Sequence, residues 1–340
     1  MCYKAGVLPA SVEVAIVGGG FAGLATAWWL ERLGASAIVL EREAELGVYA
    51  SGRSAGLGRQ LVEDDETSAL TVRGAALLRE EFAPAWTATG GILSFDDPAH
   101  LAAYAARAAR LGVTVSALDR DAVLARWPQL AGLAIAGALH VPGDGVIAVM
   151  PLVKAFAAGA CVALDTAVHA IEAGRVMTSQ GAIAARVVVD ASGAWAGRLV
   201  DEAPLDALKR HVFVIAGEAG AGPYLWHLGS DEVYVRAADG GILTSPCDEL
   251  RTPAADQQPD ARGEALMRAL LAKAGFGETE IVRRWACQRS FTPDRRMRLG
   301  RDPRRPWLVW AAGLGGHGAT AAPAVGEVVA RAAVAALRER

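Results

Sequence analysis

Gly18, Gly20 and Gly23 stand in the spacing G-x-G-x-x-G, and the acid Glu41 follows about twenty residues later. These residue types at these distances suit one task, holding the pyrophosphate and a ribose of a dinucleotide. Gly18 allows a tight turn, Gly20 lets backbone approach the pyrophosphate, and Gly23 lets a helix lie close on a strand. Glu41 can accept hydrogen bonds from ribose hydroxyls. The context carries more weight than the spacing alone. Val12, Val14, Ala15, Ile16 and Val17 form the near-continuous apolar run of a strand buried on both faces. Leu24 to Leu33 read as a helix stopped by Gly34, and Ala37 to Leu40 as a second strand. The phosphates would then meet the helix N-terminus.

Two more stretches suit close approach of backbone to a ligand. The apolar strand Val187, Val188, Val189 breaks into Asp190, Ala191, Ser192 and Gly193. Near the end of the chain, a strand from Trp307 to Ala311 leads into Gly313, Gly315, Gly316 and Gly318, and a helix is predicted past Pro323. The positive end of that helix would point at whatever lies before it. Several such places in one chain suggest an extended dinucleotide. Ser51, Gly52, Arg53 and Ser54 offer donors in a Gly-rich loop at the C-terminal edge of the sheet, where ligands of open α/β sheets bind, although an ordinary solvated loop has the same composition.

The elements around these positions read as an α/β protein. A Rossmann-like domain with a parallel sheet (1–80, 140–205 and 285–340) is interleaved with a second α+β substrate domain on a mixed or antiparallel sheet (81–139 and 206–284). Helices are predicted over Ser68–Phe82, Ala99–Leu111, from Pro151 to Ala158, and over Asp260–Ala274 with Gly275 as stop. Val113–Val115 reads as a short strand, and Gly137 to Ile147 as strand, Pro-Gly turn, strand. Leu208–Ala216, Glu232–Ala237 and Gly240–Ser245 read as strands of the second sheet. A net charge of -3 argues for small-molecule partners and against nucleic acid held by bulk charge. Cys2, Cys161, Cys247 and Cys287 form no C-x-x-C pair, so neither zinc nor a disulfide framework is indicated, and a reducing, cytoplasmic setting is expected. Val14 to Leu30 carries no charge, but the glycine spacing explains it as strand and helix; nothing later reads as long and apolar enough to span a membrane.

The chain resembles the FAD-dependent D-amino acid oxidase and dehydrogenase superfamily, which includes glycine oxidase, sarcosine oxidase and D-arginine dehydrogenase. VAIVGGGFAGLATAWWLERLG, VLERE, ASGRSAG, GALHVPGDGVI, VVVDASGAWAG, YVRAADGGILTSPCDE, WACQRSFTPDR and AAGLGGHGATAAPAVGEVVA carry the likeness over nearly the full length. ASGRSAG, WACQRSFTPD and GLGGHG look most like the D-arginine dehydrogenase branch. The resemblance implies FAD, with cofactor contacts at Gly18, Gly20, Phe21, Ala22, Gly23, Glu41, Arg42, Ser51, Gly52, Arg53, Ser54, Val168, Ala191, Gly193, Trp195, Gly313, Gly315, Gly316, His317 and Gly318. Backbone N–H groups and a helix N-terminus beside the flavin would stabilise the negative charge of the reduced ring.

Arg289 falls where the family keeps the arginine that grips the substrate carboxylate, and a guanidinium fork suits that role. His317 and Tyr234 are candidates for lining the site, His317 alternatively as a structural hydrogen-bonding residue. Tyr49 stands where some relatives put a histidine beside the flavin. Cys287 stands just ahead of the segment where the sarcosine oxidase branch attaches its flavin, so it is either a thioether site or a small buried residue. Arg295, Arg296, Arg298, Arg301, Arg304 and Arg305 depart from the family and form either a solvated basic face or a dock for an acidic partner or substrate.

The implied reaction is oxidation of the CH–NH bond of a D-amino acid or N-substituted glycine by hydride transfer to the flavin, giving an imine that water hydrolyses to a 2-oxo acid. Oxygen, a quinone or a partner protein would take the electrons. The alternatives are an FAD-bearing subunit of a heteromeric amine dehydrogenase and an NAD(P)-linked dehydrogenase, the latter leaving VVVDASGAWAG and GLGGHG unexplained.

Overall fold

The structure, a computed structural model, describes residues 8–202 and 205–339, so Cys2 lies outside the described residues. Ser11–Val17 pairs in parallel with Ala37–Leu40 on one side and Gly181–Asp190 on the other. Val162–Ala163 and Leu308–Ala312 extend the parallel sheet at its two ends. Arg298–Arg301 and the hairpin of Val168–Glu172 and Arg175–Thr178 add antiparallel partners. Val14 to Val17 are buried, as an apolar run covered on both faces requires.

The helix after the fingerprint spans Phe21–Arg32 and starts earlier than the sequence suggested, directly at the turn. Gly18 has φ +107°, a conformation that L side chains rarely adopt. A Cβ on Gly23 would lie 2.0 Å from the Gly18 carbonyl oxygen, so helix and turn touch backbone to backbone.

The C-terminal helix, Gly318–Arg338, encloses Pro323 instead of following it. As the sixth residue of the helix, Pro323 forgoes the ladder bond an N–H there would give to the Ala319 carbonyl. The Pro323 carbonyl accepts from the Trp29 indole N–H at 2.7 Å, and a Cβ on Gly326 would sit 2.5 Å from the Ala25 carbonyl carbon. Small residues thus bring this helix hard against the fingerprint helix. By length and composition it could cross a membrane, with a mean hydropathy of 1.4, which corrects the expectation that no later segment could. Its apolar character has another use here: 67% of that window is buried inside the fold.

The second sheet has nine strands. Gly241–Ser245, Val233–Ala238, Tyr224–Leu228, Gly91–Phe95, Gly137–Val141 and Ser116–Leu118 succeed one another beside Asp206–Ile215, which also pairs with Ile281–Phe291 and Leu250–Arg251. All pairs are antiparallel except Tyr224–Leu228 with Gly91–Phe95, so the sheet is mixed. The strand predicted at 113–115 begins at Ser116 instead. Gly112 ends the preceding helix in the left-handed conformation, and the Val113 N–H bonds back to the Ala108 carbonyl, so it serves that helix end.

The two strands of 137–147 do not pair with each other. The first joins the large sheet, and Gly145–Ile147 forms a small sheet with Leu57–Gly58 and Trp86–Thr87. The divisions drawn at 139/140 and 284/285 both fall inside continuous strands, which are units of pairing.

Candidate active site

One cavity, of about 410 Å³, opens onto both large sheets. From the parallel sheet and its turns it is lined by Gly18, Gly20, Phe21, Ala22, Glu41, Arg42, Ser51, Arg53, Ser54, Val168, Ala191, Gly193, Trp195, Gly313, Gly315, Gly316 and Gly318. From the second sheet come Arg210, Trp226, Tyr234, Cys287, Gln288 and Arg289. Antiparallel register explains the second set. Arg210 lies opposite Cys287 and Leu208 opposite Arg289, which puts the two arginines on one face of adjacent strands. Of the residues expected in the site, Gly23, Gly52 and His317 do not reach the cavity. Gly23 is taken up by packing on Gly18, and a Cβ on Gly52 would lie 2.4 Å from the Gly47 carbonyl oxygen.

The dinucleotide side is built mostly from backbone. Gly20 caps the fingerprint helix without a side chain. The Ser51 hydroxyl accepts from the Phe21 N–H at 2.9 Å, and a Cβ on Gly20 would meet nothing nearer than that oxygen, at 3.0 Å. A helix N-terminus facing open space across a glycine fits a pyrophosphate. Glu41 is held beside the turn, accepting from the Gly19 N–H at 2.7 Å and the Glu43 N–H at 3.0 Å. A carboxylate has about four lone-pair sites, so acceptor capacity remains for ribose hydroxyls. At the same end the Arg42 guanidinium lies 4.0 Å over the Trp195 ring and 4.9 Å over the Tyr49 ring, and Tyr49 donates to Glu43. Tyr49 is thus a member of this stack at the end of the second strand.

The turn after the last parallel strand keeps three glycines at positive φ: Gly313 at 71°, Gly315 at 58° and Gly316 at 89°. The turn lies against Arg289. A Cβ on Gly316 would come within 2.6 Å of the Arg289 Cδ. Arg289 donates from Nη2 to Glu249 Oε1 at 2.7 Å, while its buried Nε has no hydrogen-bond partner among the described residues. An orphaned buried guanidinium N–H beside a cavity is a costly arrangement for folding alone, and an anionic ligand would relieve it.

Arg210 commits Nε to the Asp248 carbonyl and Nη2 to the Cys247 carbonyl, and so fixes the loop that carries Glu249. Trp226 and Tyr234 pack with ring centroids 4.9 Å apart and form an aromatic wall. Burial raises the Tyr234 hydroxyl above its ordinary range, and it pushes the Cys287 thiol up to about 11, which keeps that thiol protonated and poorly nucleophilic.

His317 caps the C-terminal helix, and its Nε2 lies 3.2 Å from Glu63 Oε2. Glu63 in turn holds Arg59, whose guanidinium stacks 3.9 Å over the Trp226 ring. This chain stands behind the aromatic wall, which corrects the placement of His317 in the site. Deeper still, Asp144 is fully buried and accepts from the Gln60 N–H and side-chain amide and from the Tyr224 hydroxyl. Burial raises its carboxyl to about 6. Trp226, Glu63 and Glu249 carried no signal in the sequence, because their roles depend on the register of distant strands.

The basic segment is a largely solvated face whose charges are paired: the side chains of Arg295, Arg296 and Arg304 are 54%, 57% and 65% exposed. Arg295 pairs with Glu249, Arg296 with Glu66, Arg301 with Glu339, Arg304 and Arg305 with Glu202, and Arg298 stacks 3.7 Å over Trp310 while reaching Asp302.

Residues 13–332 match the family of FAD dependent oxidoreductases. The chain is 32% identical to the glycine oxidase of Geobacillus kaustophilus over 65% of its own length and 62% of that enzyme's, so the aligned stretch spans less than two thirds of the relative. The crystal structure of glycine oxidase from Geobacillus kaustophilus superposes with a TM-score of 0.81 at 26% identity, covering 96% of this chain and 95% of that one. That of L-proline dehydrogenase from P. horikoshii superposes with a TM-score of 0.87, covering 95% and 93%; at 23% identity it speaks for the fold.

Proposed function

The chain belongs to the family of FAD-dependent oxidoreductases, and from that premise we propose that it oxidises the CH–NH bond of an amino acid, either a D-amino acid or an N-substituted glycine. The observation that carries this reading is Arg289, which enters the same cavity as the fingerprint turn with its Nε unpartnered among the described residues and Gly316 of the last turn against it. The relative named glycine oxidase supports an amine that carries a neighbouring carboxylate.

In this reading Gly18, Gly20, Phe21 and Ala22 hold the pyrophosphate, Glu41 a ribose, and the 313–318 turn the ring. When bound, FAD supplies the acceptor for the hydride that leaves the substrate Cα, producing an imine that water hydrolyses. The chain's own part is placement. Arg289 fixes the carboxylate bidentately, and Trp226 and Tyr234 exclude water from the Cα side. An amine bound uncharged needs no dedicated base, so the reaction asks placement rather than proton transfer of the groups around Arg289. The internally paired arginines of 295–305 give no support to a docking subunit. A visible spectrum of the purified protein tests the proposal: flavin bands that bleach anaerobically with an amino acid support it, and bleaching by NADH with none by any amino acid overturns it.

A further inference from the structure

We infer that Glu249 is a built-in competitor for the substrate carboxylate, occupying Arg289 until the substrate displaces it. This rests on the reading of Arg289 as the carboxylate anchor. Glu249 Oε1 lies 2.7 Å from Arg289 Nη2 and 3.7 Å from Arg210 Nη2, so one carboxylate oxygen stands between the two guanidiniums that face the cavity. Glu249 does not itself line the cavity, but it engages the guanidinium that a bound carboxylate would need. The contact leaves Arg289 incompletely satisfied, since its Nε stays buried and unpartnered. A ligand that engages Nε and an Nη together makes two bonds where Glu249 makes one.

The displaced group has somewhere to go. Arg295 grips both oxygens of Glu249, at 2.9 and 3.2 Å, and the Arg295 side chain is 54% exposed, so Glu249 can swing to the rim without losing its partner. The loop that carries it is under tension: Cys247 has φ +51°, a left-handed conformation for a non-glycine residue, and Arg210 pins its carbonyl. With Glu249 gone from Arg289, that guanidinium is left to the ligand, beside Arg210, which keeps its bonds to the Asp248 and Cys247 carbonyls. A substrate with a second cationic group near its carboxylate is disfavoured there, and one that presents only a carboxylate is favoured.

The test titrates benzoate, an unreactive carboxylate, into the FAD-loaded enzyme and follows the visible flavin spectrum for the parent, Glu249→Gln, Glu249→Ala and Arg289→Ala. Removing a competing ion pair from a partly buried site should tighten the benzoate Kd roughly tenfold in both Glu249 variants, and Arg289→Ala should abolish saturable binding. Benzoate affinity that is unchanged or weakened in both Glu249 variants, with binding still lost in Arg289→Ala, overturns the competitor role and leaves the anchor standing. Undiminished binding in Arg289→Ala overturns the anchor and the competitor together. The alanine variant keeps the test decisive should glutamine still hydrogen-bond Arg289.

Discussion

The two walls of the cavity are made from different materials. The wall on the parallel sheet is built around backbone, turns at Gly18–Gly20, Ala191–Gly193 and Gly313–Gly318 and two helix N-termini, with side chains such as Glu41, Arg42, Ser51 and Trp195 at its margin. The wall on the mixed sheet is side chains, Arg210, Trp226, Tyr234 and Arg289, each from a different strand. In the proposed reading, backbone grips the invariant cofactor, by its phosphate or a ring edge. Side chains on a sheet read what differs, because each can change without moving the strand that carries it.

The largest effects should come from the backbone wall. Gly18→Val combines a left-handed φ with a Cβ 2.6 Å from the Ala191 carbonyl oxygen, a cost of roughly 3 kcal/mol or more. It should yield protein without flavin and with a sharply lowered Tm. Gly20→Val sharpens the contrast, because its Cβ would meet only the Ser51 hydroxyl, at 3.0 Å, and no backbone: flavin content should fall to near zero while the Tm falls less than in Gly18→Val. Normal flavin content in Gly20→Val would break the assignment of that turn to the pyrophosphate.

On the other wall, Arg289→Ala should retain FAD and lose amino-acid turnover. Removing one partner of a buried, hydrogen-bonded charge pair costs roughly 2 to 5 kcal/mol, or about 30-fold to several thousand-fold in kcat/KM. Near-parental kcat/KM in this variant would make Arg289 structural and move the anchor to Arg210 or to Arg236.

A smaller effect belongs to Asp144, behind the aromatic wall. Its carboxyl rises from 3.8 to about 6 in the folded protein, so the native state binds the proton more tightly than the unfolded chain. The stabilisation this provides is complete below about pH 4 and is lost as pH rises to about 6, amounting to about 3 kcal/mol. Asp144→Asn removes that titration. Urea unfolding at pH 4 and pH 7 should show the parent's stability falling relative to the variant's across this interval; parallel curves would contradict it.

The smallest effect is expected at Cys287. Its thiol is buried and titrates near 11, so a covalent flavin link is disfavoured, and acid precipitation should leave the yellow colour in the supernatant. Colour retained in the pellet would show the link.

The same division governs what the sequence could reveal. Backbone walls need glycine at fixed offsets within one short segment, so the turns at Gly18, Ala191 and Gly313 were legible together with the strands before them. Helix ends were legible where a cap is local: Asp260 accepts from the Gly263 N–H, and the helix runs from Ala261 to Ala274 with Gly275 left-handed after it, close to the expected span. The mixed-sheet wall depends on register between strands far apart in the chain, as where Trp226 lies opposite Leu93, and no local pattern encodes it. For that reason Arg289 was visible through family likeness, whereas Glu249 and Trp226 were not, and of the two readings of His317 its contact with Glu63 favours the structural one. Pro323 misled in another way, as a proline that marks the start of many helices sits here inside one.

The central claim is that one cavity joins a flavin-holding backbone wall to a carboxylate-reading wall. The most direct test is anaerobic titration of the FAD-loaded enzyme with matched pairs, each an amino acid and its decarboxylated amine, following bleaching of the visible flavin bands. The account predicts fast bleaching by the amino acid of at least one pair, little by its amine, and loss of that preference in Arg289→Ala. Equal bleaching by both members of every pair would contradict it.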